Sequence, residues 1–226
     1  FHKKMFYPKG HWAFCWPQED LAAVFIRELC QGMFYRDSLS GPQAPGPARA
    51  GMIKMALDAQ QDNHYEVLTD AALKASSATG APILLHTDAG TNPLTLLDKA
   101  AAQGIPMSKV AVCHMDRTCP DLKLHEDVAR RGAYLEYDTI GRYKYHDDGR
   151  ELEIIVHMEG RGFAGQILLS LDTTRARLAS YGGSPSLSYL LTDFMPMLTK
   201  VIPAASINQI TRVNPVRFLE NDWHAI

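Results

Sequence analysis

Four residues whose side chains can bind metals or move protons follow short apolar runs in this sequence. They are Lys54, His86, His114 and Asp172, and the runs before them cover residues 51–53, 81–85, 110–113 and 167–171. Polar groups at the C-terminal ends of successive strands of a parallel α/β barrel converge on one face, where the active site is built. Two imidazoles, a carboxylate and a lysine in such positions predict a metal-dependent hydrolase.

The chemistry of these side chains fits a pair of divalent cations. Neutral imidazole and carboxylate are ligands of zinc and related ions. An ammonium cannot bind a cation, but carbamylation by CO2 would turn a lysine into a bridging carboxylate. Such a metal pair would hold a hydroxide and polarise an ester or lactone carbonyl. Taken singly, each residue has a structural explanation: a hydrogen-bonded histidine, a solvated lysine or an aspartate that caps the next helix.

The elements that must position these residues alternate along the chain. The apolar periodicity predicts strands at 50–56, 81–87, 109–114, 133–138 and 166–172, helices at 64–79, 93–103, 121–131 and 149–160, and flanking helices at 19–35, 187–200 and 204–212. Residues 1–18 and 38–47 are predicted as loops, the second because of its Gly and Pro content. Strands that alternate with helices predict βαβ units and a parallel sheet. We therefore expect a single domain over 1–226 built on a parallel sheet of five clear strands; a (β/α)8 barrel typically has about 250 residues, slightly more than this chain.

Composition limits the other possibilities. The chain has 226 residues, of which 46% are hydrophobic, so it can bury a core as one domain. Its net charge of −2 gives no electrostatic reason to expect nucleic acid or a membrane surface as a partner. The four cysteines, which lack metal-binding spacing, predict reduced thiols in a cytoplasmic protein; they are Cys15, Cys30, Cys113 and Cys119.

At these residues the sequence resembles the phosphotriesterase-related family of the amidohydrolase superfamily. The order and spacing of the matching motifs agree from about residue 1 to residue 220. The motifs are RAGMIK (49–54), TGAPILLHT (79–87), CHMD (113–116), GAYLEYDTIG (132–141), ILLSLD (167–172) and NPVRFL (214–219).

The resemblance implies a role for each of the four residues. Lys54 would be the carbamylated bridge between two zinc ions, and His86 and His114 would bind the second ion. Asp172 would bind the first ion and accept the proton of the attacking hydroxide as general base. The family also places an H-x-H pair on the first strand, and this sequence contains none. We therefore expect the chain to lack about the first two strands of the barrel, and the resemblance further suggests a homodimer.

The resemblance also suggests a small-molecule substrate. Thr139 follows Asp138 where triesterases carry His and many quorum-quenching lactonases carry Arg. Lys144 and Arg175 resemble the phosphate-binding positions of the sugar-lactone branch, so we expect a phosphorylated furanose lactone. A tyrosine that some relatives carry three residues after this arginine is Leu178 here.

The N-terminal loop lies beside the pocket in the family, so His2 and Tyr7 are expected to contact the substrate. Packing against the barrel rim is the alternative for such aromatic residues. Solvated loop charges are the alternative for Lys144 and Arg175. Organophosphate triesters and acyl-homoserine lactones are the other substrates to consider.

Two alternatives belong to other functional classes. A chain without the H-x-H ligands could be a catalytically incomplete barrel fragment or a pseudo-enzyme. A barrel that binds sugar phosphates through Lys144 and Arg175 alone, without metal, would share the same loops. A requirement for metal distinguishes the hydrolase from this binding protein.

Overall fold

The computed structural model describes residues 6–36, 38–57, 63–118 and 120–220. The strands are β1 Phe34–Arg36, β2 Gln43–Pro45, β3 Ile53–Ala56, β4 Ile83–His86, β5 Val110–Cys113, β6 Tyr134–Tyr137 and β7 Ile167–Leu169. The α-helices are α1 Gln18–Cys30, α2 Asn63–Thr79, α3 Leu94–Ala102, α4 Met115–Thr118, α5 Leu122–Arg130, α6 Asp148–Gly160, α7 Met195–Leu198, α8 Ala204–Asn208 and α9 Asn214–Leu219. Short 3-10 helices cover Trp12–Phe14, Met107–Lys109, Ala164–Gln166, Arg175–Arg177 and Ala179–Tyr181, and π-helical turns cover Leu190–Phe194 and Gln209–Val213.

The chain divides into two compact units, of which the first comprises Phe1–Ala111 and Phe218–Ile226. In this unit β3 and β4 pair in parallel, followed by the start of β5. Ile53, Met55, Ile83 and Leu85, which share one face of these strands, are buried, and the side chains of Lys54, Leu84 and His86 on the other face are half-buried, as expected for parallel strands covered on both faces. α1 packs against α2 around a core that includes Trp12, Leu21, Val24, Leu68 and Ala71.

The second unit, Val112–Arg217, contains the end of β5 followed by β6 and β7. β6 and β7 pair in parallel, with Leu135 opposite Ile167 and Tyr137 opposite Leu169. α5 and α6 are joined through Glu126, which lies 3.0 Å from His157 Nε2 and 3.2 Å from Arg161 Nε. The hydrogen bond from His157 is the largest cause that lowers the pKa of Glu126, and Arg161 lowers it further.

The alternation of strands and helices predicted from the sequence is confirmed, but two local predictions are wrong and two helices have other ends than predicted. The predicted helix at 19–35 ends at Cys30, and β1 follows at Phe34–Arg36. The predicted loop at 38–47 contains β2, which pairs in an antiparallel hairpin with β1. The predicted helix at 187–200 is confirmed with narrower bounds, as a π-helical turn that begins at Leu190 and continues into α7. Helical structure also continues beyond 212 into α9, because Pro215 lies in the first turn of that helix, where its missing N–H breaks no bond within α9.

The described residues also bear on membrane spans, cysteines and domain organisation. None of the helices in the described ranges combines the length and apolarity that crossing a membrane requires. Cys15, Cys30 and Cys113 form no disulfide, and Cys119 lies outside the described residues. The single-domain organisation stays a prediction.

Asn214 provides a test of how the second unit is held together. Its buried side chain donates to the carbonyl oxygens of Ala164 and Ile167, at 2.8 and 2.7 Å, and accepts from Gln209. Asn214→Ala leaves two carbonyls without this donor, so we expect the free energy of unfolding to fall by about 2–4 kcal/mol in urea denaturation. The exposed Asn208→Ala should change it by less than about 0.5 kcal/mol. Equal effects of the two variants would contradict this assignment.

Candidate active site

The first unit carries two of the predicted site residues, Lys54 and His86, on the same side of its sheet. Lys54 lies opposite Leu84 in the register of β3 and β4, and His86 is two residues further along β4. Because strand side chains alternate between the two faces, Lys54, Leu84 and His86 project from one face, and the two predicted ligands are separated by roughly 7 Å along the strand direction. All three side chains are half-buried. His86 Nε2 lies 3.4 Å from Asp88 Oδ1.

In the second unit, His114 is oriented by Asp138. His114 follows β5 in a left-handed conformation with φ of 66°, and its side chain is buried. Its backbone N–H donates to Asp138 Oδ2 at 3.1 Å, and its Nδ1 lies 2.6 Å from the same oxygen. A carboxylate on one ring nitrogen is the usual partner of a histidine that binds metal through the other, so Nε2 is the nitrogen suited to a metal.

Asp172 follows β7 and is surrounded by arginines. It has a left-handed backbone with φ of 40°. Its Oδ2 accepts a hydrogen bond of 2.9 Å from Arg117 Nη1 and a second one from Arg142 Nη1. The ring of Tyr145 lies against both guanidinium groups. Single ligand atoms of His114, Asp138 and Asp172 all lie within 4.8 Å of one another.

The two carboxyl groups of this cluster differ in their acidity. Burial is the main cause that raises the pKa of Asp138 to about 8, and the charge of Glu136 adds to it. Burial alone would also raise the pKa of Asp172, but the hydrogen bond and charge of Arg117 outweigh it and hold this pKa at about 2. Near neutral pH, Asp172 is therefore a carboxylate, whereas Asp138 in this environment holds its proton much more strongly.

The residues of this cluster fit a bound cation. Asp138 Oδ1 is buried and accepts no hydrogen bond from the residues that the structure describes. Arg117 Nη1 lies 3.8 Å from this oxygen, and a divalent cation would add positive charge there and favour the ionised form of Asp138. One imidazole and two carboxylates form a donor set that suits zinc.

Asp116 supports the turn that carries Asp138. Its Oδ2 accepts the backbone N–H groups of Asp138 and Thr139, at 2.8 and 2.5 Å. Burial is the main cause that raises the pKa of Asp116, followed by the charge of Asp138. Asp116 and Asp138 stand in the matching motifs of the sequence, but their roles were missed. The signal for Asp138 was its position directly after an apolar strand, as for the four predicted residues.

The loop after β6 is tied to the segment before α7 through Asp148. Gly141 N–H donates to Asp148 Oδ1 at 2.8 Å, and Tyr189 Oη donates to Asp148 Oδ2 at 2.6 Å. Tyr143 Oη lies 2.7 Å from Tyr189 Oη. Gly141 has φ of 67°, and a Cβ there would come within 2.8 Å of Pro185 Cγ. This close approach explains why the position requires glycine.

Lys144 and Arg175, the predicted phosphate ligands, each contact the ring of a different tyrosine. Lys144 and Arg175 are exposed, with Lys144 Nζ 4.7 Å from the ring centre of Tyr145 and Arg175 Cζ 4.5 Å from that of Tyr181. Arg177, two residues after Arg175, is buried and donates to the carbonyl oxygen of Ile140 at 2.6 Å. Binding of phosphate by Lys144 and Arg175 stays a prediction.

Of the two residues expected from the N-terminal loop, Tyr7 packs in an aromatic cluster of the first unit. Its ring centre lies 4.8 Å from that of His11 and 5.1 Å from that of Phe14. Tyr7 also lines a cavity with Pro8 and Leu39. His2 lies outside the described residues, so substrate contact by either residue stays a prediction.

Comparison with known proteins decides the family. The sequence profile of the Phosphotriesterase family matches residues 2–219. This chain belongs to the phosphotriesterase family. It is 30% identical over 233 residues to the phospho-furanose lactonase of Mycoplasmopsis synoviae (strain 53), with 98% of this chain aligned to 65% of that protein. It is 33% identical over 155 residues to the phosphotriesterase homology protein of Escherichia coli (strain K12), with 66% of this chain aligned to 51% of that protein. The matches thus span about half to two thirds of these relatives.

Solved structures of the family confirm the predicted fold. An amidohydrolase from Mycoplasma synoviae superimposes with a TM-score of 0.89 at 30% identity, covering 98% of this chain and 65% of that one. The Escherichia coli phosphotriesterase homology protein, complexed with phosphate in its active site, superimposes with a TM-score of 0.85 at 28% identity, covering 97% of this chain and 72% of that one. This family member therefore has the fold of the amidohydrolase type of (β/α)8 barrel, of which the described residues form five parallel strands, and its resemblance to the lactonase branch is confirmed.

Proposed function

We propose that this protein is a metal-dependent hydrolase of ester or lactone bonds whose substrate is a phosphorylated furanose lactone. The observation that carries the proposal is the cluster of His114, Asp138 and Asp172 in a member of the phosphotriesterase family. The relative that aligns with almost the whole chain is a phospho-furanose lactonase, which supports the choice of substrate. An organophosphate triester or an acyl-homoserine lactone would be the alternative substrate.

In this proposal two zinc ions are held by Lys54, His86, His114 and Asp172, with Lys54 carbamylated. The family profile spans all four positions. When bound, the metals would supply a polarised carbonyl and a water that ionises near neutral pH. Asp138 orients the ring of His114. Asp172 is ionised throughout the neutral range, which is the state that a general base requires.

Recognition of phosphate is assigned to Lys144 and Arg175. Both side chains are exposed in the second unit, and a lysine point charge with an arginine fork suits a phosphate monoester. The bound phosphate of the Escherichia coli relative supports anion binding in this family. The homodimer and the cytoplasmic location stay predictions.

The substrate assignment is tested with paired substrates. Lys144→Ala and Arg175→Ala should each raise KM for a phosphorylated lactone by about tenfold or more, because each removes a charge-assisted contact. KM for the corresponding unphosphorylated lactone should stay within about twofold in the same steady-state assays. Lys200→Ala, which removes an exposed lysine from the surface of the second unit, is the matched control. Equal effects on both substrates would exclude these residues as phosphate ligands.

A further inference from the structure

A second group of metal-binding side chains lies apart from the residues assigned to the active site. It consists of Asp116 from α4, His146 from the segment before α6, and Glu151 from the first turns of α6. One ligand atom of each of the three residues lies within 4.8 Å of those of the other two. His146 Nε2 is 3.5 Å from Glu151 Oε2. The side chains therefore converge on one point inside the second unit.

This group is buried, and three of its four carboxylate oxygens accept no hydrogen bond from the described residues. Glu151 has no exposed surface, and Asp116 is 5% exposed. Neither oxygen of Glu151 nor Oδ1 of Asp116 accepts a hydrogen bond from an N–H group in the described ranges, and His146 Nε2 is likewise buried without a hydrogen-bond partner there. Two facing carboxylates repel each other in a medium of low polarity, so the arrangement requires a shared proton or a cation.

We propose that Asp116, His146 and Glu151 form an additional binding site for a divalent transition metal, with zinc as the cation. An imidazole nitrogen with two carboxylate oxygens is a zinc donor set, and water would complete the tetrahedron. The imidazole disfavours magnesium and calcium, which prefer oxygen ligands only. A proton shared by the two carboxyl groups would leave His146 Nε2, which is 3.5 Å from Glu151 Oε2, without a hydrogen bond, whereas a metal uses all three side chains.

A metal at this site would stabilise the folded structure and would not contact the substrate. Oδ1 of Asp116 has no hydrogen-bond partner among the described residues, while its Oδ2 accepts the backbone N–H groups of Asp138 and Thr139. A cation bound to Asp116 and Glu151 would join α4 to α6 and fix the turn that carries Asp138. Asp138 in turn contacts His114, so occupancy of this site would stabilise the orientation of that histidine.

The experiment counts zinc equivalents. The purified protein is stripped with a chelator and titrated with Zn²⁺ in a calorimeter, and bound zinc is also counted by mass spectrometry after gel filtration. His146→Asn and Glu151→Gln should each bind one equivalent fewer than the wild type. His114→Asn should retain the equivalent that these two variants lose, because His114 belongs to the other cluster. His157→Asn is the matched control, since it removes a histidine of α6 that pairs with Glu126 instead.

Thermal unfolding gives a second measurement that does not depend on activity. Glu151→Gln removes one of two facing carboxylates, so the metal-free variant should melt at or above the Tm of the metal-free wild type. Its Tm should then rise less than that of the wild type on addition of Zn²⁺. Equal zinc counts in the wild type, His146→Asn and Glu151→Gln would overturn the proposal, as would loss of the same equivalent in His114→Asn.

Discussion

Asp172→Asn lowers kcat/KM for lactone hydrolysis by about 10³-fold or more. The asparagine keeps the shape of the side chain but cannot accept the proton of the attacking water, and proton transfer of this kind contributes about 10²–10⁴-fold. It also removes the negative charge that Arg117 and Arg142 contact in the folded protein. Steady-state kinetics on the zinc-loaded protein, with the zinc content measured on the same sample, provide the measurement.

The control for Asp172→Asn must show that the loss arises in chemistry and not in folding. Asp193→Asn removes an exposed carboxylate elsewhere in the second unit and should leave kcat/KM unchanged. Circular dichroism should show the same secondary structure for both variants. A folded Asp172→Asn protein that retains kcat/KM within tenfold of the wild type would exclude Asp172 as the general base.

Arg117→Met lowers the free energy of unfolding by about 3 kcal/mol at pH 7 in the metal-free protein. Arg117 is mostly buried and donates to Asp172, and its charge also opposes the raised pKa of Asp138. Removal of one partner of a buried ion pair costs about 3–5 kcal/mol. The lower end applies because Asp172 is partly exposed and retains Arg142. Urea denaturation followed by circular dichroism measures the difference.

The difference between wild type and Arg117→Met depends on pH in a defined direction. The pKa of Asp172 is about 2 in the folded wild type, below its ordinary value of 3.8, so its contribution is present above pH 3.8 and is lost as the pH falls towards 2. The pKa of Asp138 is raised to about 8, so its ionisation costs stability as the pH rises to that value. Loss of the Arg117 charge raises the pKa of Asp138 further, so the free energy of unfolding continues to fall at higher pH. The destabilisation should therefore shrink at pH 3 and grow between pH 7 and pH 9.

Arg150→Met is the matched control for Arg117→Met. Arg150 forms an exposed ion pair of 2.9 Å with Glu153 on α6, and such pairs contribute about 0–1 kcal/mol. Its effect should be small and nearly independent of pH. If the two variants were equally destabilised at all three pH values, the arginine would not be the cation that compensates Asp172 and Asp138.

Much of the fold could be predicted from the sequence because apolar periodicity is a local property. A strand that is buried on both faces needs a continuous apolar run, and this requirement located β3 to β7 within a few residues. The prediction extended the last strand to Asp172, whereas β7 ends at Leu169, because the positive φ of Asp172 belongs to a turn. The hairpin of β1 and β2 was missed because the predicted first helix extended to residue 35, into β1, and because β2 lies in a segment rich in Gly and Pro.

The sequence by itself determined the family and the residue types of the candidate site, since His114 and Asp172 were found from their positions after apolar strands. Only the tertiary structure decided which groups surround them. Arg117 and Arg142 lie 55 and 30 positions from Asp172 along the chain, yet both contact its carboxylate. Periodicity encodes which face of an element is buried, but the direction of a side chain beyond the strand end depends on how the loops pack. For this reason the pairing of Asp138 with His114 became visible only in the folded chain.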